Sequence, residues 1–218
     1  MRPYLFAAAA FAALTLATSV SAAEEPEIGA RVSTLGLGAW AGIKVAPHLR
    51  LRGLANGLNI RYKDTVNDVR YSGKFKLGSA GLQADFYPLD DGPFYLTAGL
   101  YSNQNKIHAT ATPTTSTDIG GISYTPAQIG TLTADGRYKG TAPYLGLGVT
   151  FNLAPAVIDL EAGAYFQGKP RVSLTSDGTL AGDPAYQASQ EKERQDLQRS
   201  LRHTETWPVV AIGVGFRF

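Results

Sequence analysis

Residues 209–218 read Val209-Val210-Ala211-Ile212-Gly213-Val214-Gly215-Phe216-Arg217-Phe218. In an extended chain Val210, Ile212, Val214, Phe216 and Phe218 fall on one side, and Ala211, Gly213, Gly215 and Arg217 on the other. One face is apolar and the other is small or charged. A strand of a soluble sandwich alternates in the same way. The terminal aromatic decides between the two. A final Phe, with apolar residues at every second position before it, is the pattern with which bacterial outer-membrane proteins commonly end. Phe216 and Phe218 are therefore expected to be the membrane-insertion signal, read by the barrel-assembly machinery. The fold class expected is all-β: an antiparallel transmembrane β-barrel with an apolar outside and a polar inside.

Other stretches repeat the pattern. Leu35, Leu37, Ala39, Ala41, Ile43 and Val45 alternate with glycines, Trp40 and Lys44. Leu49 to Lys63 reads as the partner strand, with an apolar face that changes parity near Gly53, so a bulge is expected there. Arg70 to Pro88 shows a similar change near Gly78. Further strands carry Phe94 to Leu100, Leu145 to Phe151 and Ile158 to Phe166 outward. That makes seven strands. Single-chain bacterial barrels have even numbers, so the eighth is assigned to the segment Ala23 to Ala30. Connections near Pro47, Asp91 and Pro155 are short, and those at 63–70, 107–137 and 173–203 are long. Short periplasmic turns and long extracellular loops are expected of a barrel. The 107–137 stretch, rich in Thr, Gly, Ser and Pro, reads as an extracellular hairpin. Within 173–203, Asp183-Pro184 is a helix-start signal. A loop helix is expected over 184–202, and its weak apolar stripe favours a solvated position over a plug in the lumen.

The N-terminus has its own logic. Arg2, an apolar run from Leu5 to Ala17 and Val20-Ser21-Ala22 form a secretory signal peptide. Residues 1–22 are assigned to that signal and 23–218 to the barrel domain, located in the bacterial outer membrane. Removal of the signal loses one charge, Arg2, and leaves 19 basic and 18 acidic residues among the 20 and 18 of the whole chain. No basic cluster stands out along the chain, so nucleic acid is not an expected partner. The chain has no cysteine, and a closed backbone hydrogen-bond network can replace disulfides as the fold's staple.

With the apolar faces turned to lipid, Lys44, Arg50, Arg52, Asp85, Asp159, Glu161 and Arg217 point into the lumen, in the half nearer the short turns. An eight-stranded barrel is just wide enough for side chains to fill it. The seven charges read either as a salt-bridged core or as a constriction selecting small polar solutes. Tyr95, Tyr101 and Tyr165 line the wall above them. No catalytic residues are assigned. His48, His108 and His203 show no recognised catalytic spacing, although His108 or His203 with Ser102 or Ser200 could be imagined in a lipid-modifying enzyme. No metal cluster and no cofactor motif are present.

Ala142-Pro143-Tyr144-Leu145-Gly146-Leu147-Gly148, the run from Gly163 to Thr175, the charged helical segment and Trp207-Pro208-Val209 together resemble the carbapenem-associated outer membrane protein family (CarO-type). The resemblance covers most of the chain after the signal. It implies a small barrel passing small solutes, including basic amino acids. The expected function is a narrow channel for basic or zwitterionic amino acids in a monomeric barrel, with outer-membrane lipids and lipopolysaccharide as its surroundings. The alternatives are a closed structural or adhesive barrel and a lipid-modifying enzyme.

Overall fold

The structure is a computed structural model that describes residues 26–66, 69–90, 92–138 and 140–218. The signal-peptide assignment, at 1–22, lies outside these residues. In chain order the elements are β1 (Glu27–Ser33), β2 (Gly36–Ala46), β3 (Leu49–Val66), β4 (Val69–Phe86), β5 (Phe94–Asn103), β6 (Lys106–Pro113), β7 (Thr117–Ile119), β8 (Ile122–Tyr124), α1 (Pro126–Ile129), β9 (Leu132–Arg137), β10 (Thr141–Leu153), β11 (Ala156–Phe166), β12 (Arg171–Ser176), α2 (Pro184–Ser200), a 3-10 turn (Leu201–Thr204) and β13 (Thr206–Arg217).

Eight strands close into an antiparallel barrel in the order β1, β2, β3, β4, β5, β10, β11, β13 and back to β1. The segment assigned to the eighth strand supplies it, shifted to Glu27–Ser33, and it pairs with β2 on one side and β13 on the other. Glu27 lies opposite Arg217, so β1 starts beside the C-terminus. The chain then turns at Thr34 and Leu35 to enter β2. Leu35, expected on the apolar outside, is tucked inward and is buried because it sits in that turn. The end holding Phe218 and the short turns is the near end.

The bulge expected at Gly53 is absent. β3 pairs with β4 without interruption from Leu49↔Phe86 to Val66↔Val69. Leu54 therefore stays on the inner face with Arg50 and Arg52, and it is buried. The irregularity lies instead in β2, between Lys44 and Ala46. The change of parity in the sequence has another cause. Beyond Gly57 and Gly78 the strands leave the closed barrel, and their two faces exchange polarity.

The three long connections each contribute strand to a prolonged sheet. β6 follows β5 along β4 in the same register, Ser79↔Asn103 then Lys76↔Lys106. β9 likewise leads into β10, with Lys106↔Arg137 followed by Ser102↔Thr141. With β12 added, the far ends of β3 and β4 form a five-stranded extension beyond the barrel. The 107–137 stretch is thus mostly strand, with a β7–β8 hairpin and α1 inserted. The inner face of the extension carries Ile60, Phe75, Ile107, Leu132 and Val172. Its outer face carries basic side chains, including Arg61, Lys74, Lys106, Arg137 and Arg171. The reading that no basic cluster exists is corrected here: the cluster is spread over five strands.

The helix expected at 184–202 is α2. Asp183 caps it, accepting from Tyr186 N at 2.9 Å, with Pro184 in the first turn. Tyr186 is buried in a small core with Ile119, Tyr124 and Ile129, against which Leu132 packs. The helix therefore rests on the extension and its hairpin. Glu191 is exposed on the helix, and Arg194 and Gln195 donate to its carboxylate and hold its pKa down to about 2.

Inside the barrel, rings lie flat against glycine. A Cβ on Gly148 would stand 2.3 Å from Tyr95, and one on Gly81 2.5 Å from Tyr101. Both approaches are below van der Waals contact, and a backbone oxygen of the neighbouring strand stands 2.6 Å away in each case. Gly148→Val is expected to overpack the wall and destabilise the barrel by about 1–3 kcal/mol. Urea unfolding followed by tryptophan fluorescence measures this, and an unchanged midpoint would contradict the packing.

Candidate functional site

The inward charges meet in one network. Arg50 and Arg52 stand two residues apart on the inner face of β3. Their shared partner is Asp85 on β4, whose Oδ2 accepts from Arg50 Nε at 2.9 Å and from Arg52 Nε at 2.5 Å. Arg52 also donates through Nη2 to Asp85 Oδ1 at 2.9 Å and to Glu161 Oε2 at 2.6 Å. Arg50 reaches Asp159 through Nη2 and Glu27 through Nη1, each at 3.0 Å. Arg31 donates to the other oxygen of Glu161 at 3.3 Å, where Tyr144 Oη also donates at 2.8 Å. At the near mouth Arg217 forks onto Glu27 Oε1 at 2.5 and 3.0 Å.

Arg31, Arg50, Arg52 and Arg217 therefore face Glu27, Asp85, Asp159 and Glu161, and the formal charges cancel. All but Arg217 are buried. Such groups persist in a dry interior only when paired and hydrogen-bonded. Tyr95 adds a ring face beneath both cations, with each guanidinium carbon 5.2 Å from its centroid. Above the network, Tyr101 meets Tyr144 and Tyr165 edge to face at 6.0 and 5.5 Å. Trp40, Leu54 and Val209 complete that layer.

Of the charges read from the sequence, Arg50, Arg52, Asp85, Asp159 and Glu161 form this network, and Tyr95, Tyr101 and Tyr165 are buried in the wall. Arg217 joins at the mouth. Lys44 lies on the same side but is exposed, on the rim of a near-end vestibule of about 500 Å³ that it shares with Glu27, Arg50, Tyr87 and Asp90. Glu27, Arg31 and Tyr144 were missed. The first two lie on β1, the strand the alternation did not reveal. Tyr144 lay in plain view as the inward neighbour of Leu145. Deeper in, the space among Arg31, Trp40, Arg52, Asp159 and Glu161 measures about 10 Å³, roughly the room needed by one water.

Two of the histidines sit beside carboxylates. His108 Nδ1 lies 2.9 Å from Asp135, and His48 contacts Asp90 and the Tyr87 carbonyl. Ser102 and His108 lie six residues apart along one extended line, about 20 Å. Among the described residues no group of His, Cys, Asp and Glu could hold a metal ion, and no helix is long and apolar enough to cross a membrane.

Removing one partner from a buried ion pair strands the other charge, at about 3–5 kcal/mol. Arg52→Met is expected to lower the unfolding free energy by that amount, because Asp85 and Glu161 both lose a donor. Lys44→Met on the exposed rim should stay within about 0.5 kcal/mol of the wild type. Equal effects of the two substitutions in urea titrations would contradict the assigned network.

A scan against protein-family models and a search of curated proteins return no match. Solved structures do match. CarO2 of Acinetobacter baumannii superposes with a TM-score of 0.61 at 24% identity, over 89% of this chain and 98% of that one. CarO of Acinetobacter baumannii gives 0.59 at 23% identity, over 88% and 97%. At that identity the likeness speaks for the fold: this chain has the fold of the CarO-type outer-membrane β-barrels.

Proposed function

We propose that this chain is an outer-membrane barrel whose lumen is closed across the membrane by its own charges. The observation that carries the reading is the pairing of four guanidinium with four carboxylate groups, which leaves a space of about 10 Å³ among Arg31, Arg52, Asp159 and Glu161. A pore for solutes needs a continuous wet path. Here the path is filled by the ion-pair network and then by the tyrosine layer.

The membrane setting is supported by the outside of the barrel. Ile28, Leu82, Leu96, Leu147, Val210 and Ile212 point outward and are exposed. Phe86, Phe94, Phe151 and Phe216 gather at the near end of this belt, like the aromatic girdle of a membrane barrel. From Val210 to Phe218 the belt spans about 20 Å along the barrel axis at the usual strand rise and tilt. Phe218 stays exposed while its amide donates to the Pro26 carbonyl at 3.1 Å. In this position it can serve assembly and also close the sheet.

A second reading has an observation of its own. The near-end vestibule places Arg50, Arg217 and Lys44 beside Glu27 and Asp90, groups of both signs that suit an amino acid. In this reading a basic or zwitterionic amino acid is held there and passes only when the network opens.

Two measurements test these readings. In planar bilayers the purified protein is expected to give no unitary conductance steps, and steady ohmic steps would overturn the closed reading. Saturable uptake of ornithine into liposomes without such steps would favour the second reading. Deleting Phe218 is expected to reduce severalfold the folded, heat-resistant barrel recovered from outer membranes. Unchanged recovery would remove the insertion role.

A further inference from the structure

The outer face of the extension continues the lipid-facing surface of the barrel, because β3 and β4 run through both without a change of register. Along β4 this face reads Phe86, Ala84, Leu82, Ala80 and Gly78, and then turns abruptly to Lys76, Lys74, Ser72 and Arg70. Along β3 it reads Leu51, Gly53, Ala55 and Gly57, then Asn59, Arg61 and Lys63. From Phe86 to Lys76 is ten residues, about 25 Å along the barrel axis at the usual rise and tilt. That is the height of the hydrocarbon band of a membrane barrel. The first cations therefore stand at headgroup level, on the side that faces the surrounding lipid.

Their arrangement is specific. Lys76 lies directly opposite Lys106, Lys106 opposite Arg137, and Arg137 opposite Arg171. This row of four cations crosses four strands, about 15 Å at the usual strand spacing. In the next row Arg61 lies opposite Lys74. Like charges directly opposite each other destabilise a sheet, so Lys106, Arg137 and Arg171 act against the fold unless anions neutralise them. Among the described residues Asp135 is the one carboxylate on this face, and it is engaged by His108. Arg61, Lys74, Lys106, Arg137 and Arg171 make no ion pair among the described residues.

We propose that this face is a docking surface for the phosphorylated saccharide headgroups of the lipids surrounding the barrel, a lipopolysaccharide-type lipid. The proposal rests on the outer-membrane reading above. Three features specify the occupant: the height of the row, its continuity with the lipid-facing surface, and its single sign of charge. Phosphates lying across Lys106, Arg137 and Arg171 would form charge-assisted hydrogen bonds and lift the repulsion between strands. A soluble polyanion has no reason to prefer cations set at the edge of an apolar belt.

The test uses the protein folded in detergent, in EDTA so that divalent cations form no bridges. Binding of purified lipopolysaccharide, of dephosphorylated lipopolysaccharide and of a lipid-free sulfated polysaccharide is compared by thermophoresis. The wild type is expected to bind intact lipopolysaccharide at least tenfold more tightly than either of the others, with affinity falling as salt rises. Lys106→Gln/Arg137→Gln should lose at least tenfold toward intact lipopolysaccharide only. If that pair fails to fold, Arg61→Gln/Lys74→Gln from the next row is expected to lose severalfold. Unchanged binding by a folded variant would overturn the proposal. Equal binding of the lipid-free polysaccharide would overturn the lipid assignment in favour of a soluble polyanion. Failure of the wild type to insert into vesicles would instead sink the outer-membrane reading, and it is scored separately by protease protection.

Discussion

Two guanidinium groups, two residues apart on one strand and buried in a barrel, are the constraint around which the interior is arranged. Arg50 and Arg52 repel each other and have lost most of their water. They are tolerable because Asp85 lies between them and Glu161, Asp159 and Glu27 reach them from other strands. These acceptors lie on β1, β4 and β11. The network therefore ties together segments separated by more than a hundred residues, and it does so only when the strands are in register. A slip of one residue would turn the charges out to the apolar face. Ion pairs of this kind add little net stability over a well-packed apolar core, yet breaking them is costly. Because these pairs form in one register only, slipped alternatives lose them.

The rest of the lumen follows. With the near half filled by charge, the far half is closed by rings, and the rings need thin walls. Glycine supplies them, on the neighbouring strand for Gly148 beside Tyr95, Gly81 beside Tyr101 and Gly163 beside Tyr144, and on the same strand for Gly146 beside Tyr144. The glycine-rich alternation of the sequence thus records the shape of the wall as well as its polarity.

Much of this was legible in the sequence, because a strand with one greasy and one polar face announces which side chains turn inward. Arg50, Arg52, Asp85, Asp159 and Glu161 were placed correctly by parity alone. What parity could not supply was partnership across strands, since Arg31 and Glu27 lie on a strand of seven residues that carries little pattern. Parity misled at Gly53 and Gly78. The apolar side chains there do change sides, but the backbone does not. Solvent changes around a continuous strand, and the outer face turns from apolar to basic where the belt ends. The basic face was invisible along the chain for a related reason: its members lie on five strands and meet only through pairing.

The far segment of β3 has a further consequence. β2 accompanies β3 only as far as Gly57, so among the described residues no strand pairs with the other side of residues 58–66. Such an open border can recruit an identical border from a second molecule and grow into an aggregate. In an antiparallel pairing of two copies, Arg61 and Lys63 of one would be brought alongside the same residues of the other, and like charges facing each other across a ladder disfavour its formation. The charges on this border therefore help to keep crowded copies apart, each molecule ending its own sheet.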